Sequence, residues 1–409
     1  MLNVDRLKDF LESRMPTALD ILRQMVEINS YTANRTGVNR LGRFTAESFA
    51  SLGFTPEFIP CANREFGDHL VLTRCGDSTR NLALISHLDT VFPPEEEQRN
   101  NFHWQREGNR IFGPGTQDIK GGTVMIWLVL SALRELAPKP FQETTWRLLW
   151  NAAEERVAPD FGDLCRNKLN ADTQAALIFE AEGRLGHAHL LVTARKGRAE
   201  WCLTVEGRGA HAGGKHPHGA NAIVQLAKTI ERIAALTDYQ RNLTFNVGAV
   251  SGGTVLNRVP HEALVRGEFR AFASEAFQHA KTALLALAGP GEVRSPADGF
   301  PCQVKVELTS ETRPWLRNSE TDRLLEIWRQ AGGDLGIVVD REERGGLSDG
   351  NLIWDAVPTL DGLGPWGDND HCSERSPDGS KLPEFVEVSS FVPKAILNVV
   401  AILKLLAKA

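Results

Sequence analysis

Apolar residues recur every three or four positions between residues 5 and 30, where Leu7, Phe10, Leu11, Leu19, Leu22 and Met25 would share one face of a helix. The pattern then changes. Residues 82–85, 145–150 and 175–179 are short apolar runs that each end in polar residues. Ser86-His87 follows the first, Asn151 and then Glu154-Glu155 the second, and Glu180 the third. Such runs read as buried strands, and residues 122–136, between the first two, read as a helix. Buried strands alternating with helices indicate an α/β fold built on a mostly parallel sheet. In such sheets ligands gather beyond the carboxyl ends of the strands. The polar groups just named stand at those ends.

From about residue 195 the texture differs. Residues 200–205 alternate like a half-exposed strand, and residues 221–236 form an amphipathic helix through Ile223, Leu226, Ile230 and Ile233. Residues 244–250 and 263–269 read as strands, 277–287 as a helix, and 303–308 as a closing strand. This order suits a small α+β sandwich of the ferredoxin-like kind. After Arg313-Pro314 the helix-strand alternation resumes, with a helix over 321–330 stopped by Gly332-Gly333 and a terminal helix over 392–406. The economical organisation is one α/β domain, residues 1–194 and 313–409, interrupted by an inserted α+β domain, residues 195–312. No internal repeat is visible.

Composition narrows the field. A chain of 409 residues is long for one core, which fits two domains. With 42% hydrophobic and 24% charged residues it reads as globular, and a net charge of -6 gives no footing for nucleic acid. No unbroken run of ~18 apolar residues points to a membrane span. The first residues lack an apolar signal core, so a cytoplasmic location is expected. Cysteines 61, 75, 165, 202, 302 and 372 show no Cys-x-x-Cys pair, so neither structural disulfides nor a thiolate zinc site is expected.

The strand ends carry the candidate chemistry. In His87-Leu88-Asp89 the imidazole and the carboxylate face the same way on extended chain, and a carboxylate beside a metal-bound histidine fixes its tautomer. In the run from Gly113-Pro114-Gly115 to Gly121-Gly122, glycines flank Asp118 on both sides and permit close approach. Glu154 and Glu155 are adjacent and point to different sides, so one can ligate metal while the other moves protons. Glu180 is a better ligand candidate than Glu182, standing at the strand end. His371 follows the apolar stretch 357–363. Together these groups supply imidazoles and carboxylates without sulfur, a set that suits hydrolytic zinc, with cobalt or manganese also compatible.

These motifs, in this order, resemble one metallopeptidase family: bacterial glutamate carboxypeptidase, aminoacylase, acetylornithine deacetylase and succinyl-diaminopimelate desuccinylase. The resemblance runs from about residue 15 to 405. The Gly-Pro-Gly form of the Asp118 loop and the Phe179-Glu180 strand end look closest to the glutamate carboxypeptidase branch. The resemblance implies a zinc-peptidase catalytic domain with an inserted dimerisation or lid domain, working as a homodimer. It implies two zinc ions, with Asp118 bridging them, His87 and Glu180 completing one, and Glu155 and His371 the other. Asp89 would orient His87, Glu154 would be the general base, and the Asp118-Ile119 peptide would be cis.

In the inserted domain, Gly207-Arg208-Gly209-Ala210-His211-Ala212-Gly213 resembles a family segment whose histidine reaches the partner subunit's active site. Asn257 and Arg270 match substrate contacts, with Arg270 suited to a carboxylate. Residues 345–350, Gly346 among them, resemble a glycine-rich loop that offers backbone groups to substrate. Two departures stand out. Ala210 replaces a common serine. After His371, Glu374 comes earlier than the family's usual acidic residue, and an insertion over 376–382 follows. The expected reaction is amide hydrolysis of a small N-acyl amino acid or short peptide with a free carboxylate, glutamate first. An aminoacylase, deacetylase or dipeptidase of the same fold is the alternative; a one-metal enzyme and a non-catalytic binding protein are the rival classes.

Overall fold

The structure is a computed structural model and describes residues 2–169 and 172–407. The chain forms two compact units. The first comprises Met1–Thr193, Arg317–Glu343 and Ser348–Ala409; the second comprises Ala194–Leu316 and Arg344–Leu347.

The first unit is built on a six-stranded sheet. In spatial order its strands are Thr55–Pro60, Asp68–Arg74, Thr145–Asn151, Asn81–His87, Thr173–Ile178 and Thr359–Leu360. The last four run parallel, and only Asp68–Arg74 runs against the others, antiparallel to both its neighbours. All seven residues of Asn81–His87 are buried, as a central strand covered on both faces requires. The register sets His87 opposite Asn151 and Ile85 opposite Ile178, so the chain leaves three neighbouring strands at one edge. That alignment brings residues distant in sequence to one place. The helix Gly121–Leu136 is buried through Leu133, apolar on nearly every side, and belongs to the main core.

The sequence reading named neither Thr55–Pro60 nor Asp68–Arg74 as strands, and it misplaced one helix end. The helix expected to stop at Gly332-Gly333 runs Ser319–Leu335 and ends at Gly336, whose φ of 70° takes the left-handed cap. Gly332 serves close packing instead: a Cβ there would lie 2.5 Å from the Ile337 carbonyl oxygen. The terminal stretch Val388–Ala407 is long and apolar enough to cross a membrane by composition. Here it packs into the core, with Leu397, Val399 and Ile402 buried, and its buried Lys394 pairs with buried Glu182 at 3.0 Å.

The second unit holds a five-stranded antiparallel sheet ordered Thr244–Gly252, Glu262–Ala271, Gly197–Glu206, Pro301–Thr312 and Gly289–Arg294. Helices Ala222–Ala234 and Ser274–Leu285 bury Leu226, Ile233, Phe277 and Leu284 in its core. This is the ferredoxin-like order, with Gly289–Arg294 as an added edge. The sequence division at 195–312 omits one piece. Residues Arg344–Leu347 belong to this unit because its cations hold their carbonyls: Arg195 donates to Gly346 and Leu347 oxygens at 3.0 and 2.9 Å, and Arg270 to the Gly345 oxygen at 3.0 Å.

Candidate metal centre

Glycine spacing explains how the Asp118 loop reaches the strand ends. A Cβ on Gly122 would lie 2.0 Å from the Phe179 carbonyl oxygen, so only glycine lets the helix start pack against that strand end. Asp118 sits just before this helix, and the Asp118-Ile119 peptide is cis.

Asp118 faces two imidazoles. His87 Nε2 lies 2.9 Å from Asp118 Oδ1, and His371 Nε2 lies 3.3 Å from Asp118 Oδ2. His87 Nε2 is also 3.8 Å from Glu180 Oε1, and His371 Nε2 is 3.3 Å from Glu155 Oε2. The structure therefore brings together all five residues read as ligands. His87, Asp118 and Glu155 have potential ligand atoms within 4.8 Å of one another, as do Asp118, Asp370 and His371. Asp370 was not singled out in the sequence. His371 has φ of 61°, a left-handed conformation for a non-glycine residue, and its side chain is exposed.

His87 Nδ1 is 3.0 Å from the Asp89 carbonyl oxygen and 3.5 Å from its carboxylate. The backbone oxygen, at the shorter distance, orients the ring. The Asp89 carboxylate has a second task. It accepts the backbone N–H groups of Glu154 and Glu155 at 3.0 and 3.2 Å and the Thr32 hydroxyl at 2.6 Å.

Burial makes this a costly place for unbalanced negative charge. Burial and the Asp118 charge push Glu155 up to about 7 despite its bond to His371. Glu154 is raised well above the ordinary range by burial, with Glu155, Asp349 and Glu180 adding to it against His87. Burial also raises Asp349 to about 7, although Asn151 donates to it at 2.7 Å. Conversely, bonds to Asp118 and Glu155 raise His371 to about 11. Positive charge is thus favoured beside Asp118. A divalent cation held there would supply it, and the nitrogen and oxygen donors suit zinc, cobalt or manganese.

One buried carboxylate beside the Asp118 loop escaped the sequence reading. Glu374, the acidic residue noted after His371, is exposed and pairs with Lys381 at 2.6 Å. Glu384 is fully buried, and its Oε1 accepts the backbone N–H groups of Gln117 and Asp118 at 2.7 and 3.1 Å. Burial and the Asp118 charge raise it to about 8 against those amide donors. The available signal was the short apolar strand Phe385–Glu387 directly after it, which pairs with Arg110–Phe112 and so lies beside the Asp118 loop.

In the second unit, His211 Nδ1 accepts the Gly213 and Gly214 N–H groups at 3.1 and 3.0 Å. Neutral His211 therefore carries its proton on Nε2, a free-standing donor on an exposed loop. The Asn257 carbonyl accepts the Ala212 N–H at 2.9 Å, which ties Asn257 to the same loop. Arg270 is already engaged, through Nε and Nη2 to Glu268 at 2.7 and 3.2 Å and through Nη1 to Gly345. The Gly346 oxygen is taken by Arg195.

A split carboxylate between two imidazoles, with further buried carboxylates around it, is the centre of a metal-dependent hydrolase. Residues 83–391 match the description "Peptidase family M20/M25/M40", and the chain belongs to that family. It is similar to carboxypeptidase G2 of Pseudomonas sp. (strain RS-16), 27% identical over 93% of this chain and 87% of the relative. The fold is similar to that of aminopeptidase PepT from Bacillus cereus, with TM-score 0.72, 22% identity and full coverage of both chains. It is also similar to the Bacillus subtilis YXEP protein, described as a dinuclear metal binding peptidase, with TM-score 0.63, 14% identity and 96% and 98% coverage.

Proposed function

We propose that this hydrolase is a dinuclear zinc enzyme that releases an amino acid, glutamate first, from small N-acyl amino acids or short peptides. The observation that carries the reading is Asp118, whose two carboxylate oxygens each face a different histidine. Asp118 would bridge the ions, with His87 and Glu180 on one and Glu155 and His371 on the other. When bound, the ions supply Lewis acidity, polarising the amide carbonyl and bringing the pKa of an attacking water toward neutrality. Glu154 would take a proton from the attacking water and deliver it to the leaving amine, a task suited to a carboxyl whose proton affinity burial has raised.

His211 offers its Nε2–H to the oxyanion in the active site of a second subunit. An exposed edge strand, Thr244–Gly252, with exposed Val250, Val255 and Leu256 supports a homodimer. Arg270 would meet the substrate carboxylate, with Asn257 and the loop at Gly346 completing the pocket. We further propose a cytoplasmic setting, in which the thiols of the six cysteines stay reduced. His211→Ala should lower kcat by about 100-fold with metal content unchanged, as steady-state kinetics and metal analysis would read.

The substrate assignment is tested by offering zinc-loaded protein a panel of N-acyl amino acids and dipeptides. Release of glutamate across many acyl groups is expected. Preferential release of another amino acid would replace glutamate in the assignment, and hydrolysis indifferent to the free carboxylate would remove the role of Arg270.

A further inference from the structure

Where the strand Thr145–Asn151 ends, four successive backbone N–H groups are each captured by a side chain. Ala152 donates to His69 Nδ1 at 3.1 Å, and Ala153 to Asn151 Oδ1 at 3.0 Å. Glu154 and Glu155 donate to the Asp89 carboxylate at 3.0 and 3.2 Å. Asn151 is local, and Asp89 belongs to the His87 motif. His69 is neither. It stands on the neighbouring strand Asp68–Arg74, is 1% exposed, and meets Ala152 across 83 residues of sequence.

A backbone N–H can only donate, so Nδ1 of His69 must present a lone pair. The neutral ring then carries its proton on Nε2 and donates it to Asp160 Oδ2 at 3.1 Å. Asp160 lies in the first turn of the helix Pro159–Lys168 and is fixed in turn by the Ala62 N–H at 2.6 Å. The imidazole also packs on Phe161, with ring centroids 5.2 Å apart.

We propose that His69 and Asp160 form a positioning dyad, in which Asp160 holds the imidazole as its Nε2–H tautomer so that Nδ1 anchors the loop bearing Glu154 and Glu155. The same geometry disposes of a competing use. Cys61, His69 and Asp160 have sulfur, nitrogen and oxygen atoms within 4.8 Å of one another, a donor set that could hold a metal. In this tautomer Nε2 has a proton where a metal needs a lone pair, and the Nδ1 lone pair is taken by Ala152. The cluster is a hydrogen-bonded chain from the helix to the loop. The dyad touches neither substrate nor metal ligands; it acts through the placement of Glu154, and so rests on the role proposed for that residue.

His69→Phe keeps a ring against Phe161 and removes the acceptor, whereas His69→Asn places an amide oxygen near the position of Nδ1. With the best substrate of the panel, His69→Phe should lower kcat by about 10- to 100-fold, the scale of a small misplacement. KM should stay close to wild type, zinc content should fall by no more than the ion that Glu155 helps to hold, and His69→Asn should recover most of the loss. Wild-type kcat in His69→Phe, or equal kcat in the two variants, would overturn the dyad. If His69→Phe does not fold, nitrogen-15 NMR of the wild-type imidazole decides: a protonated Nε2 with bare Nδ1 supports the dyad, and the reverse tautomer overturns it. Glu154→Ala assayed in parallel separates the two ideas. Its inactivity beside a fully active His69→Phe would sink the dyad alone, while its retained turnover would sink the role of Glu154 beneath it.

Discussion

Glu154→Ala is expected to reduce amide hydrolysis by on the order of 10³-fold, the range seen when a general acid–base group is removed, and to leave zinc content as in the wild type. The two halves of this result have separate causes. Glu154 is not among the five residues proposed to hold the metals, so its removal takes no donor from that centre. Its backbone is held by Asp89 and that of Ala152 by His69, so the neighbouring Glu155 should keep its place. What the variant loses is a carboxyl whose proton affinity burial and surrounding carboxylates have raised. Such a group can accept a proton from water and return it to an amine. Steady-state kinetics with metal analysis on the same preparation measures both quantities. Near-normal turnover would remove Glu154 from the mechanism, and loss of metal would make it a ligand.

The second large effect concerns stability. Glu182 and Lys394 are both fully buried, and Glu182 also meets His189 at 2.6 Å and Arg184 at 2.9 Å. Burial alone would raise the Glu182 carboxyl, but Lys394, His189 and Arg184 outweigh it and hold it at about 2, below the usual 4.5. A carboxyl depressed in the folded chain stabilises the fold fully above its unfolded pKa. The contribution, roughly 3 kcal/mol, is lost as pH falls from about 4.5 toward 2. Lys394→Met leaves the carboxylate with less compensation and should cost about 3–5 kcal/mol at neutral pH. The deficit should shrink on acidification, because protonating Glu182 then relieves the variant. Adding Glu182→Gln should recover much of the loss. Denaturant unfolding at neutral and acid pH reads these differences; a single variant within ~0.5 kcal/mol of wild type would contradict a stabilising role for the pair.

The strands over 82–85, 145–150 and 175–179 and the five proposed ligands were readable because each motif is local and the motifs occur together in order. An apolar run ending in His87-x-Asp89, or glycines around Asp118, declares itself within about ten residues. The supports were not readable for the opposite reason. His69 reaches Ala152 across 83 residues and Glu384 reaches Gln117 across 267, so neither partnership leaves a periodicity or a spacing. Glu374 drew attention by its nearness to His371, whereas Glu384 is delivered to the loop by strand pairing beyond the 376–382 segment. Gly332 and Gly333 looked like a helix stop because composition cannot tell a cap from a close approach. Arg344–Leu347 joined the second unit through carbonyls held by Arg195 and Arg270, contacts that no side-chain pattern announces.

The metal centre itself is tested most directly by zinc content per chain in the wild type and in Asp118→Ala, after dialysis against a zinc buffer. A bridging Asp118 requires about two ions per wild-type chain and a loss of both, or nearly both, in the variant. One ion or none in the wild type, or an unchanged content in Asp118→Ala, would contradict a paired site built around that carboxylate.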